Sequence, residues 1–139
     1  MQLRYRAALL AVLAVSLAAC DDDLTGIDAP SPITITEPPF TGTLTVNGAV
    51  TQPFTATGFG PVTLTLVSLD PNPDNATRVS LVLGTWNGAV CQVVLANDSA
   101  TAGTTVIGSV SSAGNLCARV SDAGRLTQAV NFDVTITHP

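Results

Sequence analysis

Few side chains in this chain of 139 residues could act as a base or a nucleophile. His138 is the only histidine, and the chain contains no lysine. A serine hydrolase needs a base within hydrogen-bond reach of its nucleophile, oriented by a third group. A position one residue from the end of the sequence is a poor place to hold such a base, and a Ser–Lys dyad is impossible without lysine. The composition therefore argues against an enzyme.

The acidic residues offer two other chemistries. A glycosidase needs two carboxylates that flank a cleft, but Glu37 is the single glutamate and the aspartates fall mainly in turn-forming segments. Asp70 and Asp74 could supply oxygen ligands to calcium, together with backbone carbonyls. Because their spacing matches no EF-hand loop, turn formation is the simpler interpretation. No cofactor is predicted, and this loop is the only place where we consider a metal.

Trp86 is the sole tryptophan and directly precedes the turn signal Asn87-Gly88. An aromatic side chain at the end of a hairpin could stack on a sugar or on a partner peptide. The alternative is that it covers an edge of the fold. Trp86 is therefore a candidate binding residue.

The elements that must position these residues are β-strands. Charged residues make up 11% of the chain, against about 25% in typical globular domains, and threonine and valine, which favour strands, replace them. Apolar and polar residues alternate in segments 62–66, 79–83 and 132–136, whereas residues 97–103 are predicted as a loop. Strands at about 8–12-residue spacing predict an all-β, antiparallel β-sandwich, jelly-roll-like or immunoglobulin-like, with about eight short strands.

The first 39 residues differ from the rest. Residues 1–19 combine two arginines, an uncharged apolar run and small residues before Cys20, which is typical of a secretory signal peptide. The run is shorter than the roughly 20 residues of a membrane span. Residues 20–39 are acidic and proline-bearing, which predicts an extended tether, and residues 40–139 form the single β domain. A short strand at 33–36 could belong to either part.

The segment Leu17-Ala18-Ala19-Cys20 resembles the bacterial lipobox at every position. The resemblance implies that the thiol of Cys20 takes a diacylglyceryl group and that cleavage frees its amine for a further acyl chain such as palmitate. Two or three acyl chains would anchor the protein stably. The alternative is an ordinary cleaved signal peptide with an incidental Cys20.

Charge restricts the partners further. Three arginines and all ten acidic residues follow residue 19, so the mature chain carries a net charge near −7. Nucleic-acid binding depends on basic residues and is disfavoured, as is attraction to anionic lipid head groups. Membrane contact is therefore expected through the lipid on Cys20 alone.

If Cys20 carries lipid, Cys91 and Cys117 are left as a pair, and an oxidising compartment favours a disulfide between them. Closing a loop of about 27 residues would stabilise the fold by roughly 3.5 kcal/mol. The rival interpretation, a metal-binding or catalytic thiol, lacks a nearby histidine or second cysteine.

The order of the β motifs resembles the bacterial pre-peptidase C-terminal domain. The segments that carry the resemblance are 54–66, 79–83 with Asn87-Gly88, 114–120 and 132–136. Leu116 and Cys117 depart from the pattern, because they stand where that family usually has aromatic residues, and no peptidase precedes the domain here. The resemblance implies a jelly-roll-like sandwich used for attachment, secretion support or binding, without catalysis.

Together these features predict a non-catalytic, lipid-anchored module of the bacterial cell envelope that binds an unidentified protein or glycan or has a structural or adhesive role. An inhibitor or accessory protein of an envelope enzyme is the alternative, and a small hydrolase is a third. The lipid could lie in the outer membrane, at the cell surface or on the periplasmic face of the inner membrane.

Overall fold

The computed structural model describes residues 31 and 33–139. The predicted signal peptide, Cys20 and the first part of the predicted tether lie outside the described residues, as does the side chain of Asp74. No helix among the described residues is long and apolar enough to cross a membrane.

In this part of the chain, nine strands form two antiparallel sheets that pack as a β-sandwich, which confirms the predicted fold class. The strands are β1 (Ile35–Thr36), β2 (Phe40–Leu44), β3 (Ala49–Ala56), β4 (Gly60–Asp70), β5 (Val79–Trp86), β6 (Cys91–Ala100), β7 (Thr105–Val110), β8 (Gly114–Ser121) and β9 (Val130–His138). A short 3-10 turn, Pro73–Asn75, lies between β4 and β5.

The strand order is that of a jelly roll. In the first sheet, β1 and β2 both pair with β9, which is followed by β4 and β7; the second sheet has the order β3-β8-β5-β6. The pairs β2 with β9, β3 with β8, β4 with β7 and β5 with β6 make one long two-stranded ribbon with the β5–β6 hairpin at its tip. Successive parts of this ribbon alternate between the sheets, as in jelly rolls. The pairing thus selects the jelly roll over the immunoglobulin-like variant.

The core follows the predicted alternation. Leu64 and Leu66 of β4 are fully buried, and they lie opposite Ile136 and Val134 of β9, which are fully buried too. Each such side chain stabilises the fold by about 1.5–3 kcal/mol relative to an exposed one. The intervening threonines of β4 are only half-buried, because successive side chains of a strand point to opposite faces.

The sequence contains two Asn-Gly pairs, Asn47-Gly48 and Asn87-Gly88, which are typical of tight turns, and both pairs form turns. Asn47 has a φ of +56° and Gly88 a φ of +96°, in the left-handed region that tight turns require. The Asn87 side-chain Oδ1 accepts a hydrogen bond from the backbone N–H of Val90 at 2.8 Å. Local turn chemistry therefore sets the β5–β6 hairpin.

The prediction of a loop at residues 97–103 is wrong for the first half of this range, because β6 continues to Ala100. The register shifts at this point, so that Asp98 and Ser99 together lie opposite Ser80. The Ser80 hydroxyl donates a hydrogen bond to Asp98 Oδ1 at 2.6 Å. A β-bulge of this kind accommodates turn-forming residues within an edge strand.

The segment at 33–36, which the sequence left open, contributes a strand to the domain. Ile35 pairs with His138 in β9, and the backbone N–H of Glu37 donates to the carbonyl oxygen of Ile136 at 3.0 Å. These contacts join the end of the predicted tether to the first sheet.

Candidate functional site

The disulfide between Cys91 and Cys117 is present, as predicted, and it organises the candidate site. Cys91 begins β6 and Cys117 lies in β8, with their Cα atoms 5.8 Å apart. Since β5 lies between these two strands in the second sheet, the bond passes over β5. Cys117 alternates with the core residues Leu116 and Ala118, so the bond lies on the outer face of that sheet.

Gly84 of β5 makes this crossing possible. A Cβ atom at this position would lie 2.2 Å from the carbonyl oxygen of Gln92 and 3.0 Å from Cys91 Sγ. Both distances are shorter than van der Waals contact, and the first involves backbone, which cannot simply rotate away. Only glycine allows the start of β6 to approach β5 so closely.

The start of β6 and the sheet beneath it form an open depression of about 290 Å³. We call it the Trp86 depression; its lining consists of Ala49, Thr51, Trp86, Ala89, Val90, Cys91 and Arg119. Thr51 and Arg119 are directly opposed in the β3–β8 ladder and form its sheet side. Trp86, Ala89 and Val90 come from the hairpin. The disulfide therefore holds an aromatic ring and a cation in the same depression.

Arg119 supplies the charge of this depression. It is half-buried, and among the described residues no acidic side chain forms an ion pair with it. Its guanidinium offers up to five N–H donors in one plane. Trp86 is also half-buried, whereas Val90 is 59% exposed. The arrangement can stack the apolar face of a ring on Trp86 while Arg119 donates hydrogen bonds to oxygen atoms of the same ligand.

The sequence identified Trp86 as a candidate but not Arg119. Arg119 follows Cys117 by two residues in an alternating strand, so both face the same side of the sheet. Once Cys91 is joined to Cys117, residues near Cys91 must approach this face. Strand alternation and the cysteine pairing therefore indicate that Arg119 lies on the same face as the disulfide. Its position beside Trp86 follows only when the strand order is known.

The expectation that His138 is poorly held near the end of the sequence is wrong. It lies in β9 with only 2% of its surface exposed, and its ring stacks on Phe54 with centroids 5.2 Å apart. Its Nε2 lies 2.9 Å from Glu37 Oε1 and its Nδ1 lies 3.0 Å from the carbonyl oxygen of Pro139. Because both ring nitrogens are engaged, these contacts explain the residue as a structural link between β9 and the segment after β1.

The two calcium candidates, Asp70 and Asp74, lie at the end of β4 and in the segment that joins β4 to β5. Asp70 is exposed at the end of β4, and the side chain of Asp74 is not described. The loop between them is held by Asn72, whose Oδ1 accepts the backbone N–H of Thr77 at 3.0 Å. Within the described ranges, no three His, Cys, Asp or Glu side chains converge as a metal site would require. Turn chemistry accounts for the contacts of this loop.

No protein-family model and no curated sequence matches the chain.

Proposed function

We propose that this protein is a non-catalytic, lipid-anchored binding module of the bacterial cell envelope, and that the Trp86 depression is its ligand site. The observation that carries the proposal is the joint placement of Trp86 and Arg119 by the Cys91–Cys117 bond. A buried disulfide and a glycine-dependent strand crossing hold these side chains on a rigid sheet, and such rigidity favours binding because little ordering is needed on association.

The size and lining of the depression indicate the ligand. A volume of about 290 Å³ is near the lower end of small-molecule sites, and it suits one sugar ring or one side chain of an extended peptide. Trp86 would contact the flat face of such a group, and Arg119 and Thr51 would bind its oxygen atoms. A glycan or peptide bearing hydroxyl or carboxylate groups is the expected ligand class.

The anchor part of the proposal is supported by the sequence. Leu17-Ala18-Ala19-Cys20 resembles a lipobox, and the charge near −7 of the mature chain provides no electrostatic attraction to a membrane surface. The resemblance to pre-peptidase C-terminal domains supports an attachment or binding role. A tether before the first strand would allow the sandwich to reach a ligand away from the membrane.

Binding is tested with a soluble form that begins after Cys20, applied to arrays of glycans and peptides. We expect Trp86→Ala and Arg119→Gln each to weaken binding about tenfold or more, through loss of stacking and of charged hydrogen bonds respectively. Phe59→Ala is the matched control, since Phe59 is 64% exposed and lies outside the depression. Equal binding by all four proteins would contradict the assignment of the site.

The anchor is tested separately by mass spectrometry of the mature protein extracted from membranes. We expect a diacylglyceryl or triacyl modification on Cys20, and release of a Cys20→Ser variant from the membrane fraction. An unmodified Cys20 would contradict the anchor without affecting the binding result. Proteinase K treatment of intact cells would then distinguish a surface location, in which the domain is degraded, from a periplasmic one.

A further inference from the structure

Two of the three arginines that the structure describes line a second depression. Arg78, after the β4–β5 loop, and Arg125, in the β8–β9 loop, both line a depression of about 250 Å³. We infer that this Arg78–Arg125 depression is a binding site for an oxyanion group: a phosphate, a sulfate or a carboxylate carried by a ligand. The inference is independent of the Trp86 depression and of the lipid anchor.

The charge distribution supports an external anion. The structure describes five of the ten acidic side chains of the chain, those of Glu37, Asp70, Asp98, Asp122 and Asp133. No acidic side chain among the described residues lies within 4.0 Å of either guanidinium or lines the depression. The two guanidinium groups line one depression and carry the same charge, so an anion bound there would be attracted by both.

One wall of the depression is held by a carboxylate. Asp122 Oδ1 accepts the backbone N–H groups of Arg125 at 2.7 Å and Leu126 at 3.1 Å, while its Oδ2 accepts that of Asn47 at 2.8 Å. The guanidinium of Arg125 is directed further by its Nη1, which donates to Ser99 Oγ at 3.0 Å. The loop and the side chain that would contact the ligand are thus ordered before any ligand binds.

The opposite wall is held by the β4–β5 loop. Besides the bond from the Thr77 backbone to Asn72 Oδ1, the Thr77 hydroxyl donates to the carbonyl oxygen of Pro71 at 3.2 Å. These contacts place Arg78 at the rim. Thr127 and Gln128 add hydrogen-bonding side chains to the lining on the other side.

Two guanidinium groups are suited to an oxyanion because each stays charged at every accessible pH and can donate two parallel hydrogen bonds. The prolines and Leu126 in the lining add an apolar surface beside the charges, which would contact the carbon skeleton of a ligand. Salt screens the attraction between the two guanidinium groups and an anion, so the affinity should fall as competing salt is added.

The test is an NMR titration of the soluble domain, following the Arg Nε–Hε and backbone amide signals. Sodium phosphate, sulfate and acetate are added separately at constant ionic strength, with chloride as the reference. We expect saturable shifts at Arg78, Arg125 and Thr127 for at least one oxyanion, and the tightest of the three identifies the chemical class. Arg78→Gln and Arg125→Gln should each weaken that binding about tenfold or more.

The matched control is Ser111→Asp. This exposed residue precedes the start of β8, whereas the depression follows its end, and the substitution makes the net charge more negative by one, as each arginine variant does. We expect it to leave the titration unchanged within about twofold. Absence of saturable shifts with all three anions would overturn the inference, and so would an equal loss of binding in Ser111→Asp.

Discussion

The two depressions are ordered by different kinds of bond. The Trp86 depression depends on a covalent link between β6 and β8, which passes over Gly84. The Arg78–Arg125 depression depends on hydrogen bonds from backbone N–H groups to the carboxylate of Asp122. One should therefore respond to reductant and the other to acid, although both belong to the same sandwich.

The carboxylate of Asp122 gives the second depression its expected pH response. Burial raises the pKa of Asp122, but hydrogen bonds from the backbone N–H groups of Asn47, Arg125, Leu126 and Gly124 lower it more, so that the pKa lies below its ordinary value of 3.8. A depressed pKa in the folded state means that the ionised group stabilises the fold above the unfolded-state pKa. That contribution is lost as the pH falls through the folded-state pKa.

The largest effect is expected from removing the disulfide. A Cys91→Ala/Cys117→Ala variant frees a loop of about 27 residues and should lose about 3.5 kcal/mol of unfolding free energy through the added entropy of the unfolded chain. Urea denaturation of the oxidised protein and of the variant measures the difference. In the folded variant, the fluorescence of Trp86 should change while the amide signals of Arg125 and Leu126 stay in place.

Reductant provides the control for this prediction. It should destabilise the native protein and leave the double variant unaffected. If the Arg125 loop loses its order together with the hairpin, the two depressions are not independent, and the contrast between them fails.

A smaller loss is expected from Gly84→Ala. The new methyl group would meet backbone at the crossing of β5 and β6, and accommodating it should cost about 1–3 kcal/mol. Gly58→Ala is the matched variant, because a Cβ there meets no atom within 4 Å, and it should change the stability by less than about 0.5 kcal/mol. Similar unfolding midpoints for the two variants would show that the close approach does not require glycine.

The smallest effect on stability is expected from Asp122→Asn. The substitution removes the charge that backbone N–H groups stabilise, and it should cost roughly 1 kcal/mol near neutral pH. The difference from the native protein should shrink as the pH falls through the folded-state pKa of Asp122, because the protonated acid then resembles the amide. Unfolding free energies measured at a series of pH values between neutral and strongly acidic solution test this.

Asp70→Asn controls for the loss of one negative charge on a neighbouring loop, since Asp70 is exposed at the end of β4. A constant difference between Asp122→Asn and the native protein at all pH values would contradict the role given to the carboxylate. The anion titration of Asp122→Asn should also weaken, because Arg125 would lose part of its backbone support.

Much of the local structure could be predicted from the sequence. Alternation in β4 and β9 placed Leu64, Leu66 and Val134 in the core, and the Asn-Gly pairs marked two turns, because both properties depend only on residues close in the chain. The pairing of Cys91 with Cys117 could also be predicted. It followed from the number of cysteines and the expected compartment rather than from any local geometry.

The tertiary structure decided which strands are neighbours, and with them both depressions. Glu37 and His138 are 101 residues apart but are joined by a hydrogen bond. Trp86 and Arg119 line the same depression only because β8, β5 and β6 lie in that order. Alternation predicts which face of a sheet a side chain occupies, but it does not predict which strand lies beside it. For that reason the sequence by itself determined a β-sandwich with one disulfide, whereas the order of its strands decided that Trp86 shares one depression with Arg119 and that Arg78 shares another with Arg125.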